Sequence, residues 1–131
     1  MTEKLSYRES AFLIIFENMF LNKPAEELFE IAREIDNIDI GNKTKRLVSN
    51  IIDNSKDIND TIQRFSEKRA FSRIPKLHVA AISIGVAEIL YDEKVPTNVA
   101  VSEAIKLVKK YGLESDVTFV NGVLGAFSRS L

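Results

Sequence analysis

His78 is the only histidine of the chain and there is no cysteine, so any reactive centre has to be built from it, nineteen acidic side chains and hydroxyls. One imidazole without thiolates or a second imidazole falls short of the usual three-ligand zinc centre. His78 stands in a mostly apolar run from Leu77 to Leu90, where a structural or surface histidine is expected rather than a catalytic one. The five glycines form neither the phosphate-cradling G-x-x-x-x-G-K-[ST] loop nor a dinucleotide fingerprint. Calcium-loop spacing is missing. Glu26–Glu27 and Asp53/Asp57 read as solvated helix faces, not as a catalytic pair of carboxylates. No enzyme, metal or cofactor is expected from this set.

Recognition chemistry remains. Arg and Lys suit phosphates, and Tyr or Phe suits unstacked bases. Lys4, Tyr7 and Arg8 open the first apolar run, where a helix N-terminus also favours phosphate, and Phe119 is expected to begin the last helix. Residues 61–80 carry Arg64, Lys68, Arg69, Arg73 and Lys76 against Glu67 alone, a balance of +4, whereas residues 21–40 stand at −4. Such segregation either steers a polyanion to one face or is the ordinary wet side of helices. Glu88 lies among Ile84, Ala87, Ile89 and Leu90, where a carboxylate is costly unless paired. A structural ion pair, with Arg73 or another basic residue, is expected there ahead of a direct ligand contact. Asn121 and Gly122 pose a similar choice between bonding backbone and close packing near a helix start, and shaping a ligand surface.

The elements that would position these residues are all helical. Ser6-Tyr7-Arg8-Glu9 has capping-box spacing before Ala11, Phe12, Ile14, Ile15, Phe16 and Met19, predicting a helix over about 6–21. A second is predicted over 24–36 behind Pro24, and a third after Gly41-Asn42 with Leu47, Val48, Ile51 and Ile52 at spacings of three and four. After a short break at Asp53–Lys56, Ile58, Ile62 and Phe65 predict a fourth helix ending near Lys68. Pro75 opens the strongest, 75–91, in which Gly85 permits close helix contact at a cost in propensity. Thr97 reads as the N-cap of a sixth helix, with Lys109 and Lys110 in its last turn and Gly112 beyond it. The seventh is predicted over 116–129. No strand pair, repeat or low-complexity linker is evident.

A chain of 131 residues with 45% apolar and 28% charged side chains suits one compact all-α domain with a real core. The net charge of −1 gives no whole-molecule attraction for nucleic acid. No signal-peptide pattern and no apolar run near the roughly 18 residues of a membrane span is present, so a cytoplasmic protein is expected, with no membrane partner.

Several motifs together resemble the NusB family of bacterial transcription antitermination factors. They are Val95-Pro96, Val99-Ala100-Val101-Ser102-Glu103-Ala104-Ile105, Lys110-Tyr111-Gly112 and Phe119-Val120-Asn121-Gly122-Val123-Leu124. Arg73-Ile74-Pro75, Ala81-Ile82, Glu88-Ile89-Leu90 and Arg8-Glu9-Ser10-Ala11 are looser matches. The resemblance implies a seven-helix fold of two packed helical bundles. It also implies binding of boxA-type single-stranded RNA together with a small-subunit ribosomal protein, NusE. Other Nus factors and RNA polymerase would complete the assembly, which supports ribosomal RNA transcription. Lys4, Tyr7 and Arg8 would face RNA, with Phe119 as a second part of that surface, and neutralising Arg8 is expected to weaken binding without unfolding. The chain departs from the family pattern at Arg69, where an aromatic is common, at Ser83 and Thr118, where basic residues are usual, and at Ser102, which replaces an asparagine. Its basic arm is reduced to Lys4 and Arg8, which implies weaker and less salt-dependent RNA binding. The rival expectation is a protein-interaction adaptor of the same fold with little specific RNA binding; a homodimer is a further state to test.

Overall fold

The computed structural model describes residues 3–67 and 69–131. Seven α-helices make up most of it: α1 Tyr7–Leu21, α2 Ala25–Ala32, α3 Asn42–Asp53, α4 Ser55–Phe65, α5 Lys76–Tyr91, α6 Thr97–Tyr111 and α7 Glu114–Arg129. A single 3₁₀ turn, Phe71–Arg73, precedes α5. No strand occurs among the described residues.

The arrangement turns on α5. Every residue from His78 to Glu88 is buried, so this helix has no wet face, as its nearly unbroken apolar sequence requires. Helices α1, α2 and α3 pack together on one side, and α4, α6 and α7 on the other, with α5 touching both groups. Helix α1 runs antiparallel to α5, because Tyr7 meets Glu88 at one end while Lys76 lies over the Phe20 ring at the other. Helix α7 runs parallel to it, pairing Asp116 with His78 and Leu124 with Gly85. The core is continuous across both groups, and Phe12, Ile58, Ile62, Ile82, Ile84 and Leu124 are its largest fully buried apolar side chains.

Gly85 permits close contact as expected: a Cβ there would stand 3.1 Å from Leu124 and 3.3 Å from Ala104. Gly122 does not. It lies in the interior of α7 facing open space, and Asn121 beside it is exposed rather than bonding backbone at a helix start. Gly112 closes α6 with extended backbone, φ −119° and ψ −167°. Its role is steric, since a Cβ would come within 2.7 Å of the Asp116 carboxylate and 2.9 Å of Leu77.

Several helix ends differ from the pattern reading. Helix α2 stops at Ala32, and its last carbonyls are taken by tight turns, Glu34 to Ile31 and Ile35 to Ala32, so residues 33–36 are not helical. The break after α3 shrinks to Asn54. Helix α4 ends at Phe65, with Ser66 as its cap and Glu67 in the left-handed region at φ 58°; Lys68 lies outside the described residues. Pro24, Pro75 and Pro96 all take N-cap positions, which makes Thr97 the first residue of α6 instead of its cap. Helix α7 opens two residues early because the Asp116 carboxylate accepts from the Leu113 amide at 2.6 Å. At the start of α1 only half of the capping box forms, Ser6 Oγ accepting from the Glu9 amide, while the Glu9 side chain reaches α6.

Candidate nucleic-acid interface

The N-terminal turn of α1 projects Tyr7 and Arg8 onto the last turns of α5. There Arg8 Nε donates to Glu88 Oε1 at 2.6 Å and the Tyr7 hydroxyl donates to Oε2 at 2.7 Å. The expected ion pair of Glu88 therefore exists, with Arg8 as its cation and not Arg73. The carboxylate is 1% exposed and the Arg8 side chain 19% exposed, so the charge is buried on one side and wet on the other. Burial, then the hydrogen bond to Glu88, push the Tyr7 hydroxyl far above its ordinary range. Burial opposes the Arg8 charge, yet the bond to Glu88 and the fields of Glu88 and of Glu103 on α6 hold its pKa above the ordinary value. Both side chains are thus locked in one protonation state.

This pair forms the wall of a cleft of about 330 Å³ that also takes in Lys43, Arg46 and Asn50 from α3 and Asp92 and Lys94 from the α5–α6 link. The Arg8 guanidinium lies 4.9 Å from the Tyr7 ring centroid and the Lys43 ammonium 5.5 Å from it. Lys43, Arg46 and Lys94 make no ion pair among the described residues. Lys43 also stands in the first turn of α3, where the helix dipole disfavours a cation by about 0.3–1 kcal/mol. A cation kept at such a position over an aromatic ring, with Arg46 and Lys94 lining the same cleft, suits a phosphate with a base beside it. Pattern reading missed all three. The signal was present in α3, where Lys43, Arg46, Leu47 and Asn50 follow the spacing of a single helix face.

Phe119 is the sixth residue of α7, one and a half turns inside it, and is half-buried. Its ring stacks on the buried His78 imidazole, centroids 5.2 Å apart, and the Arg69 guanidinium lies 4.3 Å over it. His78 Nε2 sits 2.7 Å from Asp116 Oδ1. The Leu113 amide and then His78 hold the Asp116 carboxyl below its usual range, so it accepts and Nε2 carries the proton. Nδ1 is buried with no partner among the described residues. The two aromatic positions lie toward opposite ends of α5: His78 and Glu88 are ten residues apart, roughly 15 Å along the helix.

With fold and site in view, the likeness to known proteins is direct. The profile of the NusB family matches residues 5–129. The chain belongs to the NusB family. A transcription antitermination protein NusB from Finegoldia magna is 36% identical over 122 residues, covering 91% of this chain and 88% of that protein. The NusB structure from T. maritima superposes with a TM-score of 0.80 at 28% identity, covering 96% and 92% of the two chains. A chain from the crystal structure of a plectonemic RNA supercoil gives a TM-score of 0.85 at 27% identity, covering 95% and 92%. NusB proteins are transcription antitermination factors, not enzymes.

Within this NusB fold the sequence-predicted residues divide. Tyr7 and Arg8 come together at the cleft, whereas Lys4 turns away and donates to the Asp36 and Ile38 carbonyls at 2.7 and 3.3 Å. The basic run is dispersed over separate aromatics, Arg64 over Phe65, Arg69 over Phe119 and Lys76 over Phe20, with Arg73 exposed in the 3₁₀ turn. Glu103 is half-buried and bonded to Lys106 at 3.3 Å. No metal-binding cluster of His and acidic residues occurs among the described residues, and no helix is long and apolar enough to cross a membrane.

Proposed function

We propose that this chain binds boxA-type single-stranded RNA as a heterodimer with the ribosomal protein NusE. In that form it joins other Nus factors on RNA polymerase in the cytoplasm, as one noncatalytic binding domain spanning residues 1–131. The observation that carries this reading is the cleft beside Tyr7 and Arg8, where Lys43, Arg46 and Lys94 make no ion pair among the described residues. A phosphate entering there meets three cations outside any ion pair, beside the Tyr7 ring against which Arg8 and Lys43 already lie. Phe119, stacked on His78, contributes a second aromatic contact toward the other end of α5.

Fluorescence anisotropy of a labelled boxA RNA, with and without NusE, at two salt concentrations and against a scrambled strand, tests the reading. Selective binding that strengthens with the partner supports it. A specific observation favours the adaptor alternative: Arg8 is spent on Glu88 and Lys4 on backbone carbonyls. Complex formation with NusE but no selectivity for boxA under either salt would decide for that alternative. Sedimentation of the free chain in the same buffers would separate a homodimer from a monomer.

A further inference from the structure

Arg69 is placed on Phe119 by more than chance proximity. Glu67 turns the chain through left-handed backbone at φ 58°, and the Arg69 carbonyl then accepts from Gln63 Nε2 at 2.9 Å. The single Ser66 hydroxyl proton is shared between the Gln63 carbonyl at 3.0 Å and the Arg69 carbonyl at 3.2 Å. Gln63 also accepts from the Phe71 amide at 2.6 Å, and Ser66 is buried. The backbone at residue 69 is therefore pinned, while its side chain is exposed and lies on the ring without an ion pair among the described residues. On the other partner, the Phe119 ring is fixed by its stack on His78, itself anchored to Asp116.

We propose that Arg69 is a displaceable cover on Phe119: an RNA base takes its place on the ring, and the released guanidinium pairs with a neighbouring phosphate. This rests on the RNA reading above and deepens it. Relative magnitudes decide the direction of exchange. An exposed guanidinium on an aromatic ring favours the covered state by a factor of about 2–5, whereas a base stacked on an aromatic is favoured by about 5–150. The base wins. Because the backbone of residue 69 stays pinned, the freed charge remains within a side chain's length of the strand it has admitted, and a guanidinium matches a phosphate in geometry.

The cover has two opposed effects on affinity, and they separate with salt. Arg69→Ala removes a competitor from the ring and a phosphate contact from the strand. The expected slope of log K against log salt becomes shallower by about 0.7 for a single strand. At low salt the variant binds the labelled boxA RNA more weakly than the wild type; at high salt, where the phosphate contact counts least, it binds about 2–5-fold tighter. Measurements use the wild-type state that binds, alone or with NusE. An unchanged slope, or a variant that is never tighter at any salt, overturns the proposal. NMR of the free protein supplies a readout that needs no RNA: the Arg69 side-chain protons are ring-current shifted in the wild type and lose that shift in Phe119→Leu. An unshifted Arg69 in the free wild type shows there is no cover. A shifted Arg69 in a protein that binds no single strand instead overturns the RNA reading, and the exchange with it.

Discussion

At the scale of single residues, the Arg8–Glu88 bond changes what an Arg8 substitution measures. Removing the cation strands a carboxylate that is 1% exposed, and breaking a buried pair in this way costs about 3 kcal/mol. Arg8→Ala is therefore expected to lower stability by that order in urea melts, against the expectation that neutralising Arg8 leaves the fold intact. Glu88→Gln keeps an acceptor for Tyr7 and leaves a guanidinium that already reaches water, so about 1–2 kcal/mol is expected. The proposed RNA contacts are better tested at Lys43 and Arg46, which make no ion pair among the described residues. A costly carboxylate in an apolar run was legible in the sequence. Its partner was not, because Arg8 lies 80 residues away and meets it only through the antiparallel packing of α1 on α5. Glu67 offers a cleaner local test. A non-glycine residue in the left-handed region costs about 1–2 kcal/mol, partly offset by the greater chain entropy of glycine. Glu67→Gly is expected to raise stability by about 0.5–1 kcal/mol by thermal melt.

Helix interiors and helix ends part company at the next scale. The apolar spacing gave all seven helices, since a buried face repeats at three and four wherever a helix must bury it. Ends were less legible: α2 stops early and α7 starts early because turn bonds and the Asp116 cap, rather than periodicity, set them. The glycines separate three cases that look alike in sequence. Gly122→Ala meets nothing within 4 Å and is expected to stabilise by about 0.5–1 kcal/mol through propensity alone. Gly85→Ala gains the same propensity but presses on the fully buried Leu124 and Ala104, where overpacking costs about 1–3 kcal/mol, so a net loss is expected. Gly112→Ala, 2.7 Å from the Asp116 carboxylate, is expected to fray the start of α7, read as faster amide exchange at Leu113.

Across the whole molecule, α1 is tied to both halves, to α5 through Glu88 and to the end of α6 through Glu9. Lys110 Nζ lies 2.5 Å from the Glu9 carboxylate, and the Tyr111 hydroxyl donates to it as well. Partial burial works against the Glu9 charge, but these two donors overcome it and lower its pKa below the ordinary 4.5. The stability Glu9 contributes is thus complete above 4.5 and lost as pH falls through the lowered value. Urea midpoints of the wild type and Glu9→Gln are expected to differ at neutral pH and converge in acid; a constant difference would remove Glu9 from the acid response. The cleft belongs to this scale too, which is why no single segment announced it: its cations come from α1, α3 and the α5–α6 link. The same long reach has a temporal side. Tyr7 and Arg8 leave the ribosome early but wait for Glu88, 80 residues behind Arg8, which at about 5–20 residues per second is a delay of roughly 4–16 s. Throughout that interval the nascent chain carries Tyr7 and Arg8 without the carboxylate that both of them bond. The Arg8–Glu88 wall of the cleft is therefore acquired abruptly, when the end of α5 emerges, and not gradually as the basic residues appear.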